Sequence, residues 1–249
     1  MITPDKTWQE RYLDRFYRKR KNWVNGTQQF HDLIRKHLSH EKQVLELGPG
    51  PQNKTSAFLC STFASLDGLD VDEEAKKNPH LRYVHIYGGG DWPIKDDSYD
   101  AVVADFVLEH LANPAKTVAE AFRVLRPGGM FIFRTPNLWH YVSMISFLSP
   151  HWFHNLVANR LRNIPPGAHA PYPTYYRMNR CRTVRSLMRR AGFNEVELVM
   201  IEKNPSYGMY SRLSFFLFMG YERLVNSSEL LSMFRVNILG AFTKPHTTQ

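Results

Sequence analysis

From Gln43 onward the chain alternates short, nearly unbroken apolar runs with longer stretches of helical period, and this alternation restricts its fold more than any other feature. Runs at 43–47, 64–69, 81–86, 99–104 and 130–134 read as buried strands, and 115–125 reads as a helix between the last two. Strands that are apolar on both faces need cover on both sides, which predicts a parallel sheet with helices above and below. The rhythm breaks after 136 and returns with a basic helix at 183–191, closed by Gly192, then a strand at 195–201 and a last strand near 236–242. Ahead of the sheet, Trp8, Tyr12, Leu13, Phe16, Tyr17, Phe30, Leu33, Ile34 and Leu38 fall at helical spacing, with Asn25-Gly26 as a break between two helices. The expected organisation is an N-terminal helical segment, 1–42, and an α/β domain, 43–249, with two insertions. The first, 137–180, is rich in aromatic residues and the second, 205–234, is helical; both are expected to cap a substrate pocket.

Composition narrows the class without naming it. With 249 residues, 43% hydrophobic and 22% charged, the chain can bury a core, which excludes disordered, collagenous and disulfide-scaffold readings. Its two cysteines, Cys60 and Cys181, form no CxxC pair; structural zinc is thereby set aside, and a reducing, cytoplasmic address is expected. No metal is expected. The N-terminus lacks the apolar stretch of a signal peptide, and the apolar tracts at 138–148 and 213–219 fall short of the ~20 residues that cross a bilayer. The net charge of +9 divides into an acidic middle between two basic flanks. Those flanks could meet a membrane surface or an anion, but a solvated basic face is the first expectation.

Chemistry concentrates at the ends of the expected strands, where ligands of open parallel sheets bind. The first strand runs into Glu46-Leu47-Gly48-Pro49-Gly50-Pro51, a tight turn whose glycines let backbone approach a ligand. A dinucleotide fingerprint would place a third glycine three positions after Gly50, where Asn53 stands. Glu46 would also oppose a pyrophosphate, so a ligand with positive charge suits this turn better. At the end of the second strand, Asp70 could take both hydroxyls of a ribose.

The ordered array Glu46-x-Gly48-x-Gly50, Gly68-Leu69-Asp70, Asp91-Trp92-Pro93-Ile94, Ser98-Tyr99-Asp100, Phe106-Val107-Leu108-Glu109-His110-Leu111 and Arg123-Val124-Leu125-Arg126-Pro127-Gly128-Gly129 resembles the class I S-adenosylmethionine-dependent methyltransferases, especially their small-molecule branch. The resemblance covers roughly 43–136. It implies a Rossmann-like seven-stranded sheet with the last strand antiparallel, and S-adenosylmethionine as cofactor with S-adenosylhomocysteine as its product. It also implies that Glu46, Gly48 and Gly50 line the methionine and ribose part, that Asp70 and Val71 hold the ribose, that Asp91 and Trp92 border the adenine, and that Asp105 and Phe106 sit beside the methionine amino group. The family often carries an Asp before the segment matching 91–94; glycines, Gly88 to Gly90, stand there instead.

A hydroxyl acceptor would need a base within hydrogen-bond reach. His110, His140 and His169 are the candidates, with Asp105 behind them. The segment 109–110 and Gly167-Ala168-His169 also look like ubiquinone-biosynthesis O-methyltransferases, some of which hold a divalent metal there; Phe106 occupies their first acidic position, leaving too few oxygen ligands. Trp139, Tyr141, Phe147, Trp152, Phe153, Tyr172, Tyr175 and Tyr176 would furnish an acceptor pocket, and Arg177, Arg180, Arg182 and Arg185 could receive an acidic group. The expected activity is methyl transfer to a small molecule, oxygen first. RNA methylation and a non-catalytic binding protein are the alternatives, with RNA behind because no RNA-binding module is recognisable and the middle is acidic. Oligomeric state is not readable from the sequence.

Overall fold

A computed structural model of the chain describes residues 7–148 and 172–246. Its centre is a seven-stranded sheet: β1 (Gln43–Leu47), β2 (Ser65–Asp70), β3 (Tyr83–Ile86), β4 (Tyr99–Asp105), β5 (Leu125–Pro136), β6 (Asn194–Ile201) and β7 (Asn237–Thr243), in the order β3-β2-β1-β4-β5-β7-β6. The first five strands are parallel, and β7 runs antiparallel to both β5 and β6. Strand order reverses between β1 and β4, so the connections leaving these neighbours diverge and open a crevice beyond their carboxyl ends. β5 begins earlier than its apolar run suggests. The Pro127-Gly128-Gly129 segment shifts the register against β4 between Tyr99 and Ala101, and pairing resumes at Met130.

Helices cover both faces. One layer packs α2 (Gly26–His37) and α3 (Lys54–Thr62) on the sheet through Phe30, Leu33, Ile34, Phe58 and Leu59. The opposite layer uses α4 (Pro114–Val124) and α6 (Cys181–Arg190) through Val118, Ala121, Val124, Val184 and Met188. Local chemistry sets the helix starts. Asn25, Asn53 and Asn113 each accept from the backbone N–H three residues on, and Pro114 occupies the first turn of α4, where its missing N–H costs nothing. Asn25-Gly26, expected as a break, is thus the cap of α2.

The N-terminal α1 (Trp8–Leu13) continues as a π-turn over Asp14–Arg18. Trp8, Tyr12 and Phe16 pack edge-on or tilted against Phe215 of α7 (Arg212–Asn226), so the prelude and the second insertion share one aromatic cluster. From the first insertion, Tyr141 of α5 (Tyr141–Leu148) stacks on Phe218 at 5.3 Å. Among the described residues, no helix is long and apolar enough to cross a membrane.

Candidate functional site

The turn after β1 is held from several directions. Gly48 and Gly50 both take positive φ, 64° and 59°. The Gly48 N–H donates to the Leu69 carbonyl at 2.8 Å, and the Gly50 N–H donates to Asp70 Oδ2 at 3.0 Å. Asp70 Oδ1 accepts from the Asp72 N–H at 3.0 Å, so two backbone donors orient one carboxylate at the tip of β2. Beneath the turn, Glu46 is buried and accepts from Ser56 Oγ at 2.6 Å and Asn53 Nδ2 at 3.2 Å. Asn78 Nδ2 donates to Ser56 Oγ and to the Gly50 carbonyl, which closes a chain from Glu46 to Asp70. Glu46 and Asp70 therefore serve the same turn from opposite sides. Burial pushes the Glu46 carboxyl up to about 7 against the hydrogen bonds of Ser56 and Asn53, so its first role is to brace the turn from below.

The two glycines of the turn meet different surroundings. A side chain at Gly50 would meet no heavy atom within 4 Å, so open space lies at this glycine, whose N–H is bound to Asp70. Gly48 faces the opposite constraint, since its Cβ would lie 2.7 Å from Val107 Cγ2 in a left-handed conformation. We expect Gly48→Ala to lower stability by about 1–3 kcal/mol, from backbone strain and contact together, read as a lower Tm in thermal unfolding.

Other predicted positions divide between those near this turn and those held elsewhere. Val71 follows Asp70 and is exposed, and Phe106, also at positive φ (58°), stands half-exposed at the tip of β4. The Asp105 carboxylate is engaged by Arg134 of β5, with Nε–Oδ1 at 2.7 Å and Nη2–Oδ2 at 2.8 Å. Asp91 and Trp92 are held apart from each other. Asp91 turns to solvent and pairs with Lys116 at 3.0 Å, while the apolar bulk of Trp92 is driven into the core. Their loop is a structural staple: Glu120 accepts from the Trp92 N–H, and Arg123 binds Glu120, Asp96 and the Ile94 carbonyl.

The three candidate histidines separate. His110 sits near the tips of β4 and β2, with Nδ1 2.9 Å from the Pro173 carbonyl and Tyr172 edge-on to its ring; Tyr172 in turn donates to Asp72 at 2.8 Å. Glu109 beside it is buried, accepts from Thr135, and is pushed up to about 7 by desolvation. His140 follows the carboxyl end of β5. It is 1% exposed, packed among Tyr141, Tyr207 and Tyr221, lies 3.5 Å from Glu202, and is lowered to about 4 by burial. His169, with Trp152 and Phe153, lies outside the described residues. Of the arginine cluster, Arg185 pairs with Glu195, Arg180 lies over Trp139, and Arg177 donates to the Ala112 carbonyl. Among the described residues no group of three or more His, Cys, Asp or Glu side chains forms a metal cage.

A cleft of about 560 Å³ opens beside Phe106, between the start of α2 and the ends of β5 and β6. Asn25, Thr27 and His31 line it from α2, Lys54 from α3, Arg134 from β5 and Lys203 after β6; no carboxylate is among its lining residues. Sequence reasoning missed this wall. Its one legible signal was His31, a polar residue next to Phe30 on the apolar stripe of α2.

Comparison with known proteins bears on the same stretch of chain. A family profile described as a methyltransferase domain matches residues 45–133, spanning the braced turn, Asp70 and the tip of β4. Over these residues the chain carries a methyltransferase domain, and its similarities are to class I S-adenosylmethionine-dependent methyltransferases. S-adenosylmethionine is the methyl donor of this family. A Mycolicibacterium smegmatis protein named as a probable S-adenosylmethionine-dependent methyltransferase is 38% identical over 114 residues, 43% of this chain and 44% of the relative. The chain thus spans less than half the length of that relative. A ubiquinone biosynthesis O-methyltransferase of Aromatoleum aromaticum is 26% identical over 185 residues, 68% of this chain and 71% of the relative. Among solved structures, an S-adenosylmethionine-dependent methyltransferase from Mesorhizobium loti superposes with a TM-score of 0.55 at 13% identity, over 85% of this chain and 96% of that one, a likeness of fold.

Proposed function

We propose that the protein transfers a methyl group from S-adenosylmethionine to an oxygen of a small-molecule acceptor. The observation that carries this reading is a cleft of about 560 Å³ beside Phe106 at the tip of β4, in a chain that also leaves open room at Gly50, whose N–H is held by Asp70. The cleft is of the size that encloses a small organic molecule. Asp70 would take the ribose hydroxyls, Gly48 and Gly50 would bring backbone against the donor, and Val71 and Phe106 would flank it. Asp105, locked by Arg134, would stand next to Phe106 at the tip of β4. The donor supplies an activated methyl group; the chain's contribution is to hold the acceptor oxygen in line with it and to exclude water.

The choice of a small molecule over RNA rests on the arginines near 177–185. Three of the four are bound to neighbouring protein groups and make no continuous basic track. The choice of oxygen draws on the name of the Aromatoleum relative and on the absence of lining carboxylates, which leaves room for an acceptor carrying its own negative or electron-rich oxygen. The test is incubation with methyl-labelled donor and a panel of phenols, catechols and hydroxy acids, read by mass spectrometry. A product one methyl group heavier, sensitive to the position of a hydroxyl, is expected. Donor binding with no transfer to any acceptor would reassign the chain as a binding protein.

A further inference from the structure

Resting on that reading, we propose that His31 of α2 is the proton acceptor of the site, held in one tautomer by a relay through Thr55 to Asp105. His31 lines the cleft, and its ring lies flat on Phe58, with centroids 4.0 Å apart and planes 9° from parallel. His31 Nε2 lies 3.3 Å from Thr55 Oγ1, and the Thr55 hydroxyl donates to Asp105 Oδ2 at 2.6 Å. Asp105 is itself fixed by two hydrogen bonds from Arg134.

The proton count decides the tautomer. A carboxylate can only accept, so the single hydroxyl proton of Thr55 is committed to Asp105. The Thr55 oxygen then has only acceptor capacity left toward His31, and Nε2 must carry the ring proton. Nδ1 keeps its lone pair, and among the described residues it has no hydrogen-bond partner. A histidine oriented through one nitrogen and open at the other is arranged to take a proton.

The step balances without a further reactant. As the acceptor oxygen bonds to the methyl carbon, the methyl–sulfur pair stays on sulfur and the hydroxyl proton passes to Nδ1. The positive charge gained by the ring is offset by Asp105 across Thr55, and the proton returns to solvent after release. Desolvation lowers His31 to about 4, opposed by Asp105 and Asp32 and reinforced by Arg134 and Arg35; Lys54, on the cleft wall, adds a further positive charge nearby. The imidazole is therefore neutral, and able to accept, down to about pH 5. His31 would be the catalytic residue, with Thr55 and Asp105 as positioning residues.

Three variants test this in the full chain. His31→Gln should lower kcat for a hydroxyl acceptor by about 10²-fold or more and remove the acid limb of the pH profile, while S-adenosylhomocysteine affinity by calorimetry stays within about threefold. Thr55→Val should lower kcat less, and Thr55→Ser should restore it. Independently of turnover, nitrogen NMR of the wild type should show His31 protonated at Nε2 and titrating well below 6.5. In thermal unfolding, the wild type should lose stability as pH falls from 6.5 toward 4, because the fold prefers the neutral ring, and His31→Gln should lose less. A His31→Gln enzyme with kcat within threefold of wild type, or a His31 protonated at Nδ1, overturns the proposal. Failure of the wild type to bind S-adenosylhomocysteine overturns the function itself, and this inference with it; calorimetry separates the two because it reads the donor side alone.

Discussion

Replacing Asp70 with Ala is expected to weaken S-adenosylhomocysteine binding by about 10²- to 10⁴-fold. Hydrogen bonds to a charged group contribute roughly 1.5–3 kcal/mol each, and two ribose hydroxyls on one carboxylate would sum to about 3–6 kcal/mol. The variant also releases the N–H groups of Gly50 and Asp72, so the turn loses the contact that fixes its far side. Asp70→Asn retains acceptor capacity at one oxygen and should fall between the variant and the wild type. Calorimetry measures the affinities, and near-ultraviolet circular dichroism verifies that the fold persists. An Asp70→Ala protein binding within threefold of wild type would remove Asp70 from the donor site.

Arg134→Leu should produce the largest loss of stability of any single change considered. The side chains of Arg134 and Asp105 are 6% and 13% exposed, so the pair lies largely outside water's screening. Removing the cation leaves Asp105 buried with only Thr55 donating to it, a situation that typically costs about 3–5 kcal/mol. Arg134 also donates to Thr27 Oγ1 at 3.1 Å and lies over the rings of Phe106 and Phe30 at 4.4 and 5.3 Å. It therefore pins the start of α2, and with it the cleft wall, to the sheet. The expected drop in Tm is about 6–20 °C for a chain of this size. The double variant Asp105→Asn/Arg134→Leu should recover part of the loss, because no lone charge remains. A double variant whose loss equals the sum of the losses of Asp105→Asn and Arg134→Leu would show that the pair is not energetically coupled.

The sheet was legible because its strands are apolar on both faces, a pattern that only a doubly covered parallel sheet satisfies. Asn25-Gly26 was legible as punctuation for a local reason, since the Asn25 side-chain amide supplies an acceptor to the start of α2. The turn after β1 and Asp70 were readable as a motif, but their interdependence was not. The link through Ser56 and Asn78 joins residues from α3 and the loop before β3, and no periodicity announces it. The burial of Trp92 was not legible either, because its neighbours fit a binding motif and its own bulk packs into the core. His31 was hidden by distance: it lies 24 residues from Thr55 in sequence, within a helix that reads only as a prelude. Arg134 was hidden by its strand, where a lone charge gives no hint that Asp105 lies across the neighbouring strand in register.

The most direct test of the whole account is a crystal structure of the protein with S-adenosylhomocysteine. The account predicts both ribose hydroxyls on Asp70, the ligand backbone-to-backbone with Gly48 and Gly50, and the sulfur directed at the cleft lined by His31 and Phe106. A nucleoside seated away from Asp70, or a sulfur turned from that cleft, would contradict it.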